Sequence, residues 1–99
     1  SNAAWIEASG KVNSIATYDS RETIIVTLSS PGVPVTECSN ASVFAVSKSM
    51  SPEARARMFS MLLAAKTSGA TITVAYNEMG SCEPWDGNPS VYRIIKRMR

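Results

Sequence analysis

The sequence contains no histidine. That removes the usual general base, a common metal ligand and the central member of a hydrolytic triad. Aspartate is scarce as well, with only Asp19 and Asp86. The remaining acids are Glu7, Glu22, Glu37, Glu53, Glu78 and Glu83, and no motif pairs any two of them. A solvated surface is expected for them rather than a hydrolytic dyad. There is no glycine-rich phosphate loop, zinc signature or nucleotide fingerprint. Two cysteines without histidine make a poor metal set. We therefore expect no enzyme, no metal and no cofactor. No apolar run approaches the roughly 20 residues that cross a bilayer as a helix. The net charge of +2 is too small to advertise a polyanion-binding surface, so nucleic acid is not an expected partner.

What is present fits one small domain. Ninety-nine residues, 44% hydrophobic and 18% charged, lie outside the composition of disordered chains. Ser1-Asn2-Ala3 reads as the scar of an expression tag, leaving residues 4–99 as a single domain that begins just after a removed leader. The two cysteines, Cys38 and Cys82, sit in polar, turn-rich segments, Glu37-Cys38-Ser39-Asn40 and Gly80-Ser81-Cys82-Glu83-Pro84. A disulfide is favoured there over two free thiols, because a bridge between loops distorts no strand ladder. Closing so long a loop stabilises a fold by up to ~4 kcal/mol on the chain-entropy view. A bridge also implies an oxidising compartment, so the chain is expected to be secreted or periplasmic.

The chain divides readily into elements. Trp5 to Tyr18 reads as extended, with Gly10 marking a bulge or bend. A polar turn leads to Thr23–Leu28, where Ile24, Val26 and Leu28 alternate onto one face. Ser42–Ser47 is a third short strand. Ser51 then caps a helix from Pro52 to about Thr67, with Pro52 at the first helical position and Gly69 as the stop. Ala54, Met58, Met61, Leu62 and Ala65 form its apolar face, widened by Phe59 and Leu63. Thr71–Tyr76 alternates again, Asn77–Pro89 reads as a long loop, and Ser90–Lys96 is the last strand. The order β-β-β-α-β-β is that of an oligonucleotide/oligosaccharide-binding (OB) barrel of five strands, mainly β with one helix. An α+β sandwich is the competing architecture.

Possible contacts concentrate in the segment Ser81–Pro89. Trp85, flanked by Asp86 and Asn88, can stack on a sugar face while its neighbours bind hydroxyls. Tyr18 is a further aromatic candidate. The competing role for Trp85 is packing over the barrel mouth and the disulfide. The C-terminal Arg93, Lys96, Arg97 and Arg99 alternate with Ile94, Ile95 and Met98. They read either as phosphate contacts, as in single-strand binders, or more simply as a charge-blunted edge strand. Asn40-Ala41-Ser42 matches a glycosylation sequon.

Phe44-Ala45-Val46-Ser47-Lys48, the helix ending Leu62-Leu63-Ala64-Ala65-Lys66-Thr67-Ser68-Gly69, and Thr71-Ile72-Thr73-Val74 together resemble the B subunits of subtilase cytotoxin and pertussis-like toxins. They also resemble related small exported bacterial proteins. The resemblance spans roughly residues 42–76. It implies an OB fold, a ring of five subunits, a toxin A subunit as partner, and recognition of host or surface glycans, often sialylated. The segment Ala4–Ser9 lacks the aromatic-Ser-acid pattern that contacts glycans in that family, so no glycan residue carries over. The expected function is thus a non-catalytic exported binding module. The alternative is a periplasmic or secreted protein-interaction domain.

Overall fold

The computed structural model describes residues 4–99, and the tag-like Ser1–Ala3 lies outside the described residues. The fold is mainly β with one helix: a curled, mixed sheet of seven strands rather than the expected five. In chain order the elements are β1 (Trp5–Tyr18), β2 (Arg21–Leu28), β3 (Phe44–Val46) and α1 (Pro52–Ser68). After the helix come β4 (Thr71–Asn77), β5 (Cys82–Trp85), β6 (Asn88–Ile94) and β7 (Arg97–Met98). The sheet order is β5-β6-β3-β2-β1-β4-β7.

β1 is long enough to serve two neighbours. Its first half, Trp5 to Lys11, pairs with β4, and its second half, Val12 to Tyr18, pairs with β2. The register irregularities fall at Val12/Ser14 and Ala16/Tyr18, not at Gly10. Gly10 serves instead at the handover, where a Cβ would sit 2.7 Å from Ser29 Oγ and 3.1 Å from Ser30 N. A residue without a side chain lets the chain just past β2 come that close with neither the Ser29 hydroxyl nor the Ser30 backbone having to shift.

The two extra strands arise from segments with mixed signals. Asn77–Pro89 is rich in Gly, Ser, Pro and Asn, which reads as loop. Within it, however, Asp86 (φ 49°) and Gly87 (φ 82°) both take left-handed backbone, and Trp85 pairs with Asn88 across them. Two consecutive positive φ values suit the tight turn whose twist matches a hairpin, and Asp-Gly is among its preferred sequences. Asp-Gly was therefore the available signal for β5 and β6. The expected last strand, Ser90–Lys96, corresponds to β6, and β7 follows beyond it as an unexpected short strand. β6 runs parallel to β3, and β7 runs antiparallel to β4. Between them Ile95 N donates to the Ala45 carbonyl at 2.9 Å and Lys96 N to that of Ala75 at 2.7 Å.

The core is filled by the inward faces of these strands. Val26, Phe44, Val46, Val74 and Tyr76 have no solvent exposure, and Ile24, Leu28 and Ile72 join them as the period of two requires. The helix begins as its sequence dictates: Ser51 Oγ accepts from Ala54 N at 3.1 Å, and Gly69 closes it in left-handed backbone. Its buried strip is narrower than expected, consisting of Leu62 and Ala65 with Met58 and Phe59 half-buried. Met61 and Leu63 are 42% and 49% exposed. The sheet takes up one ridge of α1, and the flanking ridges stay in solvent. The helix is not long and apolar enough to cross a membrane.

Cys38 and Cys82 form a disulfide, with Cα atoms 5.5 Å apart. It ties the turn-rich segment after β2 to the first residue of β5. Arg93 fastens the same segment from inside. Only 1% exposed, its guanidinium donates to the carbonyls of Pro31, Val33, Ala41 and Val43 at 2.6–3.3 Å. It lies 4.0 Å from the Phe44 ring centroid. Burial lowers its pKa, opposed by the Tyr76 hydroxyl. This corrects the surface role given to Arg93. Lys96 and Arg99 remain exposed, but Arg93 lies in β6, inside the sheet.

Candidate functional site

β5 and β6 carry the residues singled out in sequence, and a buried acid places them. Glu83, 1% exposed, was expected on the solvated surface. Instead its carboxylate accepts from the Thr23 hydroxyl at 2.5 Å, the Ser47 hydroxyl at 2.6 Å and Lys48 N at 2.9 Å. Three donors satisfy the acid where water cannot. They also fix the hairpin against β2 and against the turn that leads into α1. Sequence reasoning missed Glu83 because nothing in Cys82-Glu83-Pro84 distinguishes a buried acid from an exposed one. The alternation of β5 is the signal that could have found it, once Asp86-Gly87 is recognised as a hairpin turn.

These contacts shape an open groove of about 470 Å³. One wall is Trp85, Asp86 and Asn88 of the hairpin. The other is formed by Arg21 and Glu22 at the start of β2 and by Lys48 beyond β3. Three of the four expected contact residues therefore line one groove. The fourth, Tyr18, stands beside it, its ring centroid 5.2 Å from that of Trp85 at an edge-on angle of 65°. Tyr92 packs against Trp85 similarly at 5.7 Å. Such edge-to-face contacts orient the indole as well as bury it. Trp85 is half-buried and Tyr18 half-exposed. Both roles considered for Trp85, packing and lining a contact surface, meet in one side chain. Trp5 and Tyr76 lie elsewhere: Trp5 is exposed near Arg97, and Tyr76 is wholly buried beside Phe44.

The charges in the groove are largely committed. Arg21 lies over the Trp85 ring, 4.1 Å from its centroid, and is ion-paired with Asp86. Glu22 pairs with Arg55 at 3.3 Å, and Arg55 also donates to the Lys48 and Met50 carbonyls. Lys48 has no ion-pair partner among the described residues. The groove thus offers one unpaired ammonium, a cation held over an aromatic ring, and the amide of Asn88. Part of that amide is in use, since Asn88 Oδ1 accepts from Ser90 N. Asn40 of the sequon likewise has its Oδ1 accepting from Ser42 N and Val43 N.

Comparison of the chain with protein-family models, with curated proteins and with solved structures finds no match.

Proposed function

We propose that this protein is a non-catalytic exported binding module, similar in kind to toxin B subunits, that takes a host or surface glycan in the Trp85 groove. One observation carries the reading: an oriented, half-buried indole shares a groove with an unpaired ammonium and with Arg21, Asp86 and Asn88. Sugar recognition needs an apolar face for the ring and fixed polar groups for the hydroxyls. A carboxylate on a sialylated glycan adds a partner for Lys48. The hairpin is pinned by Glu83 and by the disulfide, so little ordering is left to be done on binding. The path of the sheet supports an OB-type barrel: β1 pairs with β2 and β4, β2 with β3, and the β6–β7 stretch reaches β3 at one end and β4 at the other. In this reading five copies form a ring that carries a toxin A subunit.

The test is a glycan array probed with the intact, oxidised protein and with Trp85→Ala and Lys48→Ala, alongside light scattering for the ring. Sialylated hits should weaken about tenfold or more in each variant, a loss of ~1.4 kcal/mol or more. Lys48→Ala should act only on glycans that carry an acid. A monomer with no glycan hits defeats the proposal.

A further inference from the structure

A second groove, about 390 Å³, runs between α1 and the C-terminal strand. Its apolar lining is almost all methionine: Met50, Met58, Met61 and Met98. Its charged lining is wholly basic, consisting of Arg57, Lys96 and Arg97. Arg97 is ion-paired with Glu7, whereas neither Arg57 nor Lys96 has an acidic partner among the described residues. Among the arginines, Arg21, Arg55, Arg97 and Arg99 are ion-paired and Arg93 is committed to buried carbonyls, which leaves Arg57 as the one without a partner among the described residues. Lys96, unpaired like Lys48, faces it across the same apolar groove. Methionine side chains are flexible and polarizable and fit varied apolar shapes. Four of the five in this chain are gathered here.

We propose that this groove is a docking site for an amphipathic helix of a partner protein, with an apolar ridge flanked by acidic residues. The inference does not rest on the glycan reading. A helix offers apolar residues along one stripe and places acids on either side of it. That pattern matches a methionine floor with cations at the rim. A twofold contact with a second copy would instead set the basic rim against itself. A membrane surface would engage protruding apolar groups, but only Met61 of the four methionines is exposed; Met98 is buried and Met50 and Met58 are half-buried.

The test uses the full, disulfide-bonded chain with labelled methionine methyl groups, observed by NMR. Met79, 54% exposed and outside the groove, is the internal control. The probe is a designed helical peptide of about 18 residues, five turns, with a leucine ridge flanked by glutamates. Its twin carries lysine in place of every glutamate. The acidic peptide should shift Met50, Met58, Met61 and Met98 and leave Met79 in place, whereas the lysine twin should do nothing. Arg57→Glu with Lys96→Glu, once its unliganded spectrum shows the fold retained, should weaken binding by about tenfold or more. No shift, an equal response to the lysine twin, or a Met79 response equal to the others would overturn the proposal. So would groove shifts produced by dilution alone, which mark a self-interface. Shifts with phosphatidylglycerol vesicles but not with peptide would overturn it in favour of a lipid surface.

Discussion

Replacing Arg93 with methionine should destabilise the protein by about 3 kcal/mol. The side chain supplies the buried donors for four carbonyls in two stretches of the segment between β2 and β3. Val33 O keeps a second donor, the Tyr76 hydroxyl at 2.7 Å. For the carbonyls of Pro31, Ala41 and Val43 the guanidinium is the side-chain donor seen among the described residues. An orphaned buried carbonyl costs ~1–3 kcal/mol, and because Pro31 and Ala41 are exposed residues, the lower end applies to them. Methionine keeps much of the volume against Phe44 and removes the burial penalty on the charge, which takes back part of the loss. The net of about 3 kcal/mol is a large share of the ~5–15 kcal/mol expected for a domain. In urea the midpoint should fall by about 1.5 M or more, for a slope of 1–2 kcal/mol/M. Arg93→Lys should recover little, because one ammonium cannot reach carbonyls arranged for a planar fork. A loss below ~1 kcal/mol for Arg93→Met, or full recovery by lysine, would refute the view that the fork holds this segment.

The disulfide and the helix face give two simpler tests. Opening Cys38–Cys82, which closes a span of 44 residues, should remove up to ~4 kcal/mol of stability on the chain-entropy view. Urea melts with and without reductant measure it, and mass spectrometry confirms the two hydrogens gained. Leu62→Ala, at a position with no exposure, should lose about 2–5 kcal/mol. Leu63→Ala, half-exposed beside it, should lose less than about 0.5 kcal/mol. Equal losses in thermal melts would mean that the helix buries a wider face than its neighbours allow.

Local chemistry alone determined much of this protein. Ser51, Pro52 and Gly69 bound the helix because capping groups act on the nearest backbone, so its limits need no knowledge of the rest of the chain. The alternation of Ile24, Val26 and Leu28 likewise assigns β2 its buried face, and Cys38 and Cys82 announce a bridge through the polar segments around them, although Cys82 opens a strand rather than lying in a loop. Trp85, Asp86 and Asn88 were legible as a cluster because they are neighbours in sequence, and the hairpin that presents them was signalled by Asp86-Gly87. Only the tertiary structure decided what lies opposite. Glu83 and Arg93 are buried because hydroxyls, an amide and carbonyls from distant segments converge on them. Nothing in their sequence neighbours names those distant partners. Met61 and Leu63 look like core, but a curled sheet touches a helix along one ridge. Whether an apolar or charged side chain is covered depends on the partner surface, and that surface exists only once strands far apart in the chain have paired.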